Sequence, residues 1–192
     1  LAGGGSLGSG PLLNNGTLVF HRPDNFTVAG AISGNGVILK QGAGALTISG
    51  TNTFTNVLTI AEGSLKLGSG TALGDVSGGT IVQSGATLEL NGQLLPLDEE
   101  ISIAGDGVGG VGAIINTGTG GAAVGLKNLT LTAPATIGGS PRWDIRDNPG
   151  GVKVQGFDLT KTGTNSVFWA NLGETGIGNL HIAGSGSRLV FE

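Results

Sequence analysis

The chain has 192 residues, 40 of them glycine, with six Phe, two Trp and no Cys, Met or Tyr. Charged residues make up 11% and the formal net charge is −4, against a usual charged fraction of ~25%. Low charge with a mean hydropathy of +0.24 excludes a globally disordered chain. The glycines keep no three-residue period, which excludes collagen, and mild acidity argues against nucleic acid as a partner.

The N-terminus, Leu1-Ala2-Gly3-Gly4-Gly5, has neither a starting Met nor a basic region, so the chain is expected to be an internal fragment or a processed product. From there on, apolar residues alternate with period two over short runs bounded by Gly, Asn, Ser or Thr, which is the strand signal. The runs are Gly16–Phe20, Val37–Lys40, Ala45–Ser49, Val57–Ile60, Ser64–Leu67, Thr80–Gln83, Thr87–Leu90 and Ile101–Ala104. Further on come Ala113–Asn116, Asn128–Thr132, Arg142–Arg146, Phe157–Lys161, Ser166–Ala170, Leu180–Ala183 and Arg188–Phe191. No segment predicts a helix, and no apolar run reaches the ~18 residues of a membrane-spanning helix.

Alternation assigns the faces. Leu46, Ile48, Leu58, Ile60, Leu65, Leu67, Leu88 and Leu90 are predicted inside, with Thr47, Ser49, Thr59, Lys66 and Glu89 outside. A sandwich or barrel needs tight hairpins, whose turns favour Asn-Gly or Asp-Gly. Such pairs, among them Asn15-Gly16, Asn91-Gly92 and Asp106-Gly107, are too few for so many strands. Strand–corner–strand units recur instead, as in Leu58–Leu67, Ile81–Leu90 and Leu180–Leu189. The predicted fold is all-β, a right-handed parallel β-helix with Gly-rich corners, in a single segment over residues 1–192; a β-sandwich is the alternative. At about 20 residues per coil, the chain makes about nine coils, and at ~4.8 Å per coil they form a rod of roughly 45 Å. Each coil buries its aliphatic side chains only against its neighbours. The end coils therefore need caps, further coils of the same parent chain, or self-association.

The run Ile32-Ser33-Gly34-Asn35-Gly36-Val37-Ile38-Leu39-Lys40-Gln41-Gly42-Ala43-Gly44-Ala45-Leu46-Thr47-Ile48-Ser49-Gly50 leads into Thr51-Asn52-Thr53-Phe54-Thr55. Leu58–Gly68 and Ala72-Leu73-Gly74 complete it. This order of pieces closely resembles the autotransporter-associated β-strand repeat over residues 32–74. Residues 78–192 look more loosely like regions that flank such repeats in large bacterial surface proteins. The landmarks are Gly92-Gln93, Glu100-Ile101, Gly112-Ala113, Ala135–Gly138, Trp143–Arg146 and Leu159–Gly163. The resemblance implies a parallel β-helix in an exported, cell-surface or secreted protein, and it supplies no catalytic residues. Asn56 stands where the repeat has Gly, and Phe54 replaces its commoner Tyr. Asn tolerates a left-handed backbone, so the corner is expected to survive.

Candidate sites are few. Gly105-Asp106-Gly107-Val108-Gly109-Gly110 satisfies Gly-x-Gly-x-x-Gly, but no helix follows it, as a dinucleotide site requires. Asp98-Glu99-Glu100 is expected in a solvated loop, since three adjacent carboxylates cannot all converge on one cation. In Trp143-Asp144-Ile145-Arg146, alternation puts Asp144 and Arg146 on one side and Trp143 and Ile145 on the other. The plain expectation is an exposed ion pair over a buried Trp–Ile pair. The sharper one is a sugar-binding patch in which Asp144 and Arg146 bond hydroxyls and Trp143 stacks. β-Helix polysaccharide lyases and hydrolases need clustered carboxylates; Asp144, Asp147, Asp158 and Glu174 are the candidates, and none pairs locally with another. His21 and His181 are isolated, without ligand spacing. Asn15, Asn25 and Asn128 open Asn-x-Ser/Thr triplets and are expected to be polar corner residues. The expected protein is non-catalytic, without cofactor or metal: a stalk, display surface or adhesin of a bacterial exterior, with surface glycans as ligands. A polysaccharide-binding or -cleaving β-helix and an end-to-end fibre subunit are the alternatives.

Overall fold

The computed structural model describes residues 7–96, 98–121, 124–146, 151–170, 174–176 and 178–192. The chain winds through three faces in a repeating order. The first turn comprises β1 (Leu12–Leu13), β2 (Thr17–His21) and β3 (Phe26–Val28), and the second β4 (Ile32–Ser33), β5 (Val37–Gln41) and β6 (Ala45–Ile48). The next three give the second and third faces a strand each: β7 (Leu58–Ile60) and β8 (Ser64–Leu67), β9 (Thr80–Val82) and β10 (Thr87–Glu89), then β11 (Glu100–Gly105) and β12 (Ile114–Asn116). β13 (Gly125–Leu126) restores the first face. The long β14 (Asn128–Gly139) then serves the second and third faces with its two halves. β15 (Trp143–Arg146), β16 (Val152–Lys153), β17 (Leu159–Lys161), β18 (Ser166–Ala170), β19 (Glu174–Thr175), β20 (Leu180–Ile182) and β21 (Arg188–Phe191) finish the path.

Every strand pairing among the described residues is parallel. The fold is thus a parallel β-solenoid, and the sandwich alternative, which needs antiparallel pairs, falls. The second face has eight stacked strands, β2, β5, β7, β9, β11, β14, β16 and β19, rather than the nine coils expected. The reason lies in the spacing. Leu12 sits on Ile32, Leu18 on Ile38 and Phe26 on Leu46, but Leu88 sits on Ile114 and Ile101 on Leu129. Later coils carry extra corner residues.

The stacking makes aliphatic ladders. On the second face Ile38, Leu58, Thr80, Ile101, Leu129 and Val152 lie in one inward column; on the third, Phe26, Leu46, Leu65, Leu88, Ile114 and Ile137 lie in another. All eight residues predicted inside are buried. Burying each such aliphatic side chain is worth about 1.5–3 kcal/mol, which a narrow coil obtains only from the rungs above and below it. The first coil is closed by aromatics. The Phe20 and Phe26 rings lie 6.5 Å apart, and the Arg22 guanidinium, paired with Asp24, covers Phe26 at 4.6 Å.

Corners use glycine and asparagine for different reasons. At Gly74, φ is +87°, and a Cβ would come within 2.7 Å of the Phe54 ring, so the closing Gly of the repeat is sterically required. Asn52 replaces strand pairing where the first face has none. Its Oδ1 accepts Ile32 N–H on the coil below, and its Nδ2 donates to Ala72 O on the coil above. Asn56 does not take the left-handed backbone expected of it; among the described non-Gly residues only Asn91 and Gln155 have positive φ. It holds its corner through its amide instead, donating to Asn35 O and accepting from Val57 N–H.

Two polar assignments are corrected. Glu89 stacks on Lys66 on the outer side, as predicted, yet is buried, because Asn91 N–H, Thr117 N–H and the Thr117 hydroxyl all donate to its carboxylate. Two lysines stand in the inward ladders. Lys40 lies between Phe20 and Ile60, and its ammonium donates to the carbonyls of Gln41, Gly42 and Glu62. Lys161 lies between Ile137 and Ile182 and donates to Thr162 O, Asn165 Oδ1 and Ser187 Oγ. Each stands at the C-terminal end of its strand, Lys161 as the last residue and Lys40 as the last but one, so its stem completes a ladder while its ammonium caps the carbonyls of the following corner.

Candidate functional site: an arginine-bearing sheet face

The strands β15, β18 and β21 stack in register on the first face. Trp143 sits on Val167, Asp144 on Phe168 and Ile145 on Trp169; Val167, Phe168 and Trp169 in turn sit on Leu189, Val190 and Phe191. Trp143 and Ile145 point inward and are fully buried, and the indole Nε1 donates to Gly138 O at 2.9 Å. The alternation predicted for this segment is therefore correct. Trp143 has no ring face open to a sugar, so a stacking role for it is ruled out by its enclosure.

The outward row differs from the exposed pair expected. Asp144 is only 1% exposed. Arg142 grips it with two parallel bonds, Nε to Oδ1 at 2.8 Å and Nη2 to Oδ2 at 2.9 Å, and Arg146 Nη2 donates to the same Oδ2. The i−2 and i+2 neighbours on a strand share a side, so one carboxylate lies between two guanidiniums and is covered by both. Arg142 escaped the sequence reading, although its place two residues before Asp144 on the same alternating strand was the signal for it. Its hydrogen bonds to Asp144 hold its pKa above the ordinary arginine value. The Arg142 guanidinium also lies 3.5 Å from the centre of the Phe168 ring, a cation–π contact. Phe168, not Trp143, is the aromatic on the outer side. Arg146 Nε is buried and has no partner.

The other candidates scatter. Asp158 precedes β17 on the third face, where Asn179 N–H and side-chain amide donate to it, and the backbone bond leads in lowering its pKa. His181 Nε2 lies 3.7 Å from Asp158 Oδ2, while His21 ends β2 at the far end of the stack. Asp147 lies outside the described residues, as does the side chain of Glu174. Asp144 and Asp158 thus occupy different faces and do not form a pair. Among the described residues no group of three His, Cys, Asp or Glu could hold a metal ion.

Glu99 overturns the expectation of a solvated acidic loop. It is 1% exposed, accepts the Thr80 hydroxyl at 3.0 Å on one oxygen and has no partner on the other. Burial, opposed by that bond and reinforced by Glu100 and Asp75, raises its pKa to about 7. The Gly105–Gly110 segment is a corner ending in a short 3₁₀ turn, Val108–Gly110. Asn15 and Asn25 lie exposed and accept N–H groups of Asn35 and Ala45 on the next coil, and Asn128 is buried at the start of β14. All three serve the stacking.

Comparison with known protein families, with curated proteins and with solved structures finds no match.

Proposed function

We propose that this chain is a non-catalytic structural segment of a large exported bacterial surface protein, acting as a stiff stalk and display surface. One observation carries the reading: mostly aliphatic ladders pass from rung to rung through parallel pairings, so coils are braced by their neighbours and the outer sides are left to present side chains. The resemblance of residues 32–74 to the autotransporter-associated repeat points the same way. Separation of Asp144 from Asp158 speaks against glycan cleavage. Immunogold labelling of intact cells with antibodies against this chain is the test. Label on the outside of the envelope is expected, and label found only in the cytoplasm of sectioned cells would overturn the proposal. Pectin and alginate should stay intact, with or without calcium; cleavage lost in Asp144→Ala would refute the non-catalytic half.

End-to-end assembly is a second reading, favoured by the last described rung. Leu180, Ile182 and Phe191 are exposed there, beside a recess of about 70 Å³ lined by Val154, Leu159 and Trp169. Unpaired strand edges recruit further strands. Sedimentation over a wide concentration range should show a growing rod, and a constant monomer would exclude it.

A further inference from the structure

The outer side of the first face, over β15, β18 and β21, gathers three guanidiniums. We propose that this face binds an acidic polysaccharide through Arg142, Arg146 and Arg188. These are three of the chain's four arginines, in a protein whose net charge is −4. Arg188 sits on Ser166 in register and is exposed. Arg142 lies on the preceding rung, two residues before Asp144. Arg142 and Arg146 flank Asp144 on one rung and Arg188 stands two rungs further on, which at about 4.8 Å per rung puts the two positions about 10 Å apart along the rod. Cations at two positions along one sheet face, with a rung between them, fit a ligand with repeated carboxylates or sulfates better than a single small anion.

The donors are pre-set. Arg142 spends Nε and Nη2 on Asp144 and keeps Nη1, and Arg146 spends Nη2 and keeps Nη1, its Nε being buried. Asp144 is a positioning residue: it holds two guanidiniums that would repel each other and fixes their planes. Arginine is suited to this, because its rigid fork matches carboxylate and sulfate oxygens in pairs. Phe168 and Val190, both half-buried, floor the row between the arginines, while Glu192 closes its far corner and can accept sugar hydroxyls. Mixed guanidinium and carboxylate groups over an apolar floor suit a hydroxyl-rich acidic chain. Nucleic acid, with one phosphate per nucleotide and bases to stack, would meet the two carboxylates and an aromatic ring already covered by Arg142.

This proposal goes beyond the stalk reading and does not depend on it: a stalk without a ligand would still label at the cell surface. The test is retention and calorimetric titration of the full chain at low salt with polygalacturonate, heparin, dextran and duplex DNA. Binding to polygalacturonate or heparin is expected, with carboxylate and sulfate distinguished by which polymer binds tighter. No binding to dextran is expected, and affinity should fall as salt rises. Arg188→Gln, outside the Asp144 cluster, should weaken binding about fivefold and Arg146→Gln about tenfold, while Lys66→Gln and Lys153→Gln, on other faces, leave it unchanged. Unchanged melting of Arg188→Gln separates lost contact from lost fold. Three results would overturn the proposal: no retention by either acidic polymer, an equal loss in the lysine variants, or duplex DNA binding as tightly as polygalacturonate.

Discussion

The two halves of the rod solve the same packing problem differently. Between Leu12 and Leu67 the register advances by about 20 residues a turn, glycine corners are tight, and Phe20, Phe26 and Arg22 pack together in the first described coil. From Leu88 onward the turns lengthen, polar Asn116 and Lys161 stand in the inward ladders as Lys40 does in the first half, and Leu180, Ile182 and Phe191 are exposed on the last described rung. Strict repetition leaves no spare residues, so the first half can only stack. Looser turns leave residues free to cover or decorate the outside, and the Arg142–Asp144–Arg146 row is built there. The buried carboxyl of Glu99 marks the seam between the two.

The sharpest way to break this contrast is to place a carboxylate in each half. Leu65 is fully buried in the third-face ladder, whereas Leu180, in a ladder of the same face, is 38% exposed. Leu65→Asp should cost about 4 kcal/mol or more, from lost burial and an unpaired interior charge. Leu180→Asp and the outer-side Lys66→Asp should cost under about 1 kcal/mol. Urea denaturation checks all three, and equal midpoints for Leu65→Asp and Leu180→Asp would remove the distinction between braced and open ladders.

Glu99 tests the seam. Its folded pKa of about 7 lies above the ordinary carboxyl value, so the folded state holds its proton more tightly than the unfolded chain does. The sign follows: stability is greatest below the unfolded pKa near 4.5 and falls as pH rises through about 7. Glu99→Gln keeps an acceptor for the Thr80 hydroxyl and cannot ionise. It should gain on the order of 2–3 kcal/mol over the wild type at pH 8 and little at pH 4. A parallel pH dependence in both proteins would assign the titration elsewhere.

Corner glycines sharpen the comparison on a smaller scale. Gly63, in the tight half, has φ +68°, and a Cβ there would lie 2.5 Å from Gly42 O. Gly110, in a long corner, has φ +78° with nothing within 4 Å. Both alanine variants bear the left-handed backbone cost of about 1–2 kcal/mol, but only Gly63→Ala adds a clash with backbone. Gly63→Ala should therefore melt lower than Gly110→Ala. Identical melting would mean that the tight half yields as readily as the loose one.

How much of this could be read from the residues follows the same division. All fifteen alternating runs became strands, because period two on a half-buried sheet leaves a direct trace in sequence. The short β1, β4, β13, β16 and β19 left none, since two residues cannot display a period. Inside and outside were legible for Leu58 and Lys66, but exposure was not. Glu89 and Asp144 point outward yet are covered, Glu89 by Thr117, a partner set by coil length and register, and Asp144 by Arg142 and Arg146, whose places at i−2 and i+2 were in the local pattern. Inward Lys40 and Lys161 defied the pattern because their ammonium groups join carbonyls of their own corner to acceptors on the next coil, Glu62 O and Ser187 Oγ, that only the completed turn brings near.

Those two lysines give the most direct comparison of the halves. Burial lowers both pKa values, that of Lys161 to about 8; at Lys40 the Glu62 carboxylate opposes the shift, and no such charge acts on Lys161. Between about pH 8 and the ordinary lysine value of 10.5 the unfolded chain keeps a proton that folded Lys161 has released. Stability therefore rises with pH across that window. Replacement by Met keeps the stem in the ladder and removes the titration. The gain in stability from pH 7 to pH 10 should shrink most in Lys161→Met and less in Lys40→Met, with both read as differences from the wild type to cancel the surface lysines. If Lys40→Met abolishes more of the alkaline gain than Lys161→Met, the regular half harbours the less compensated cation, and the placing of uncompensated polarity in the looser half is wrong.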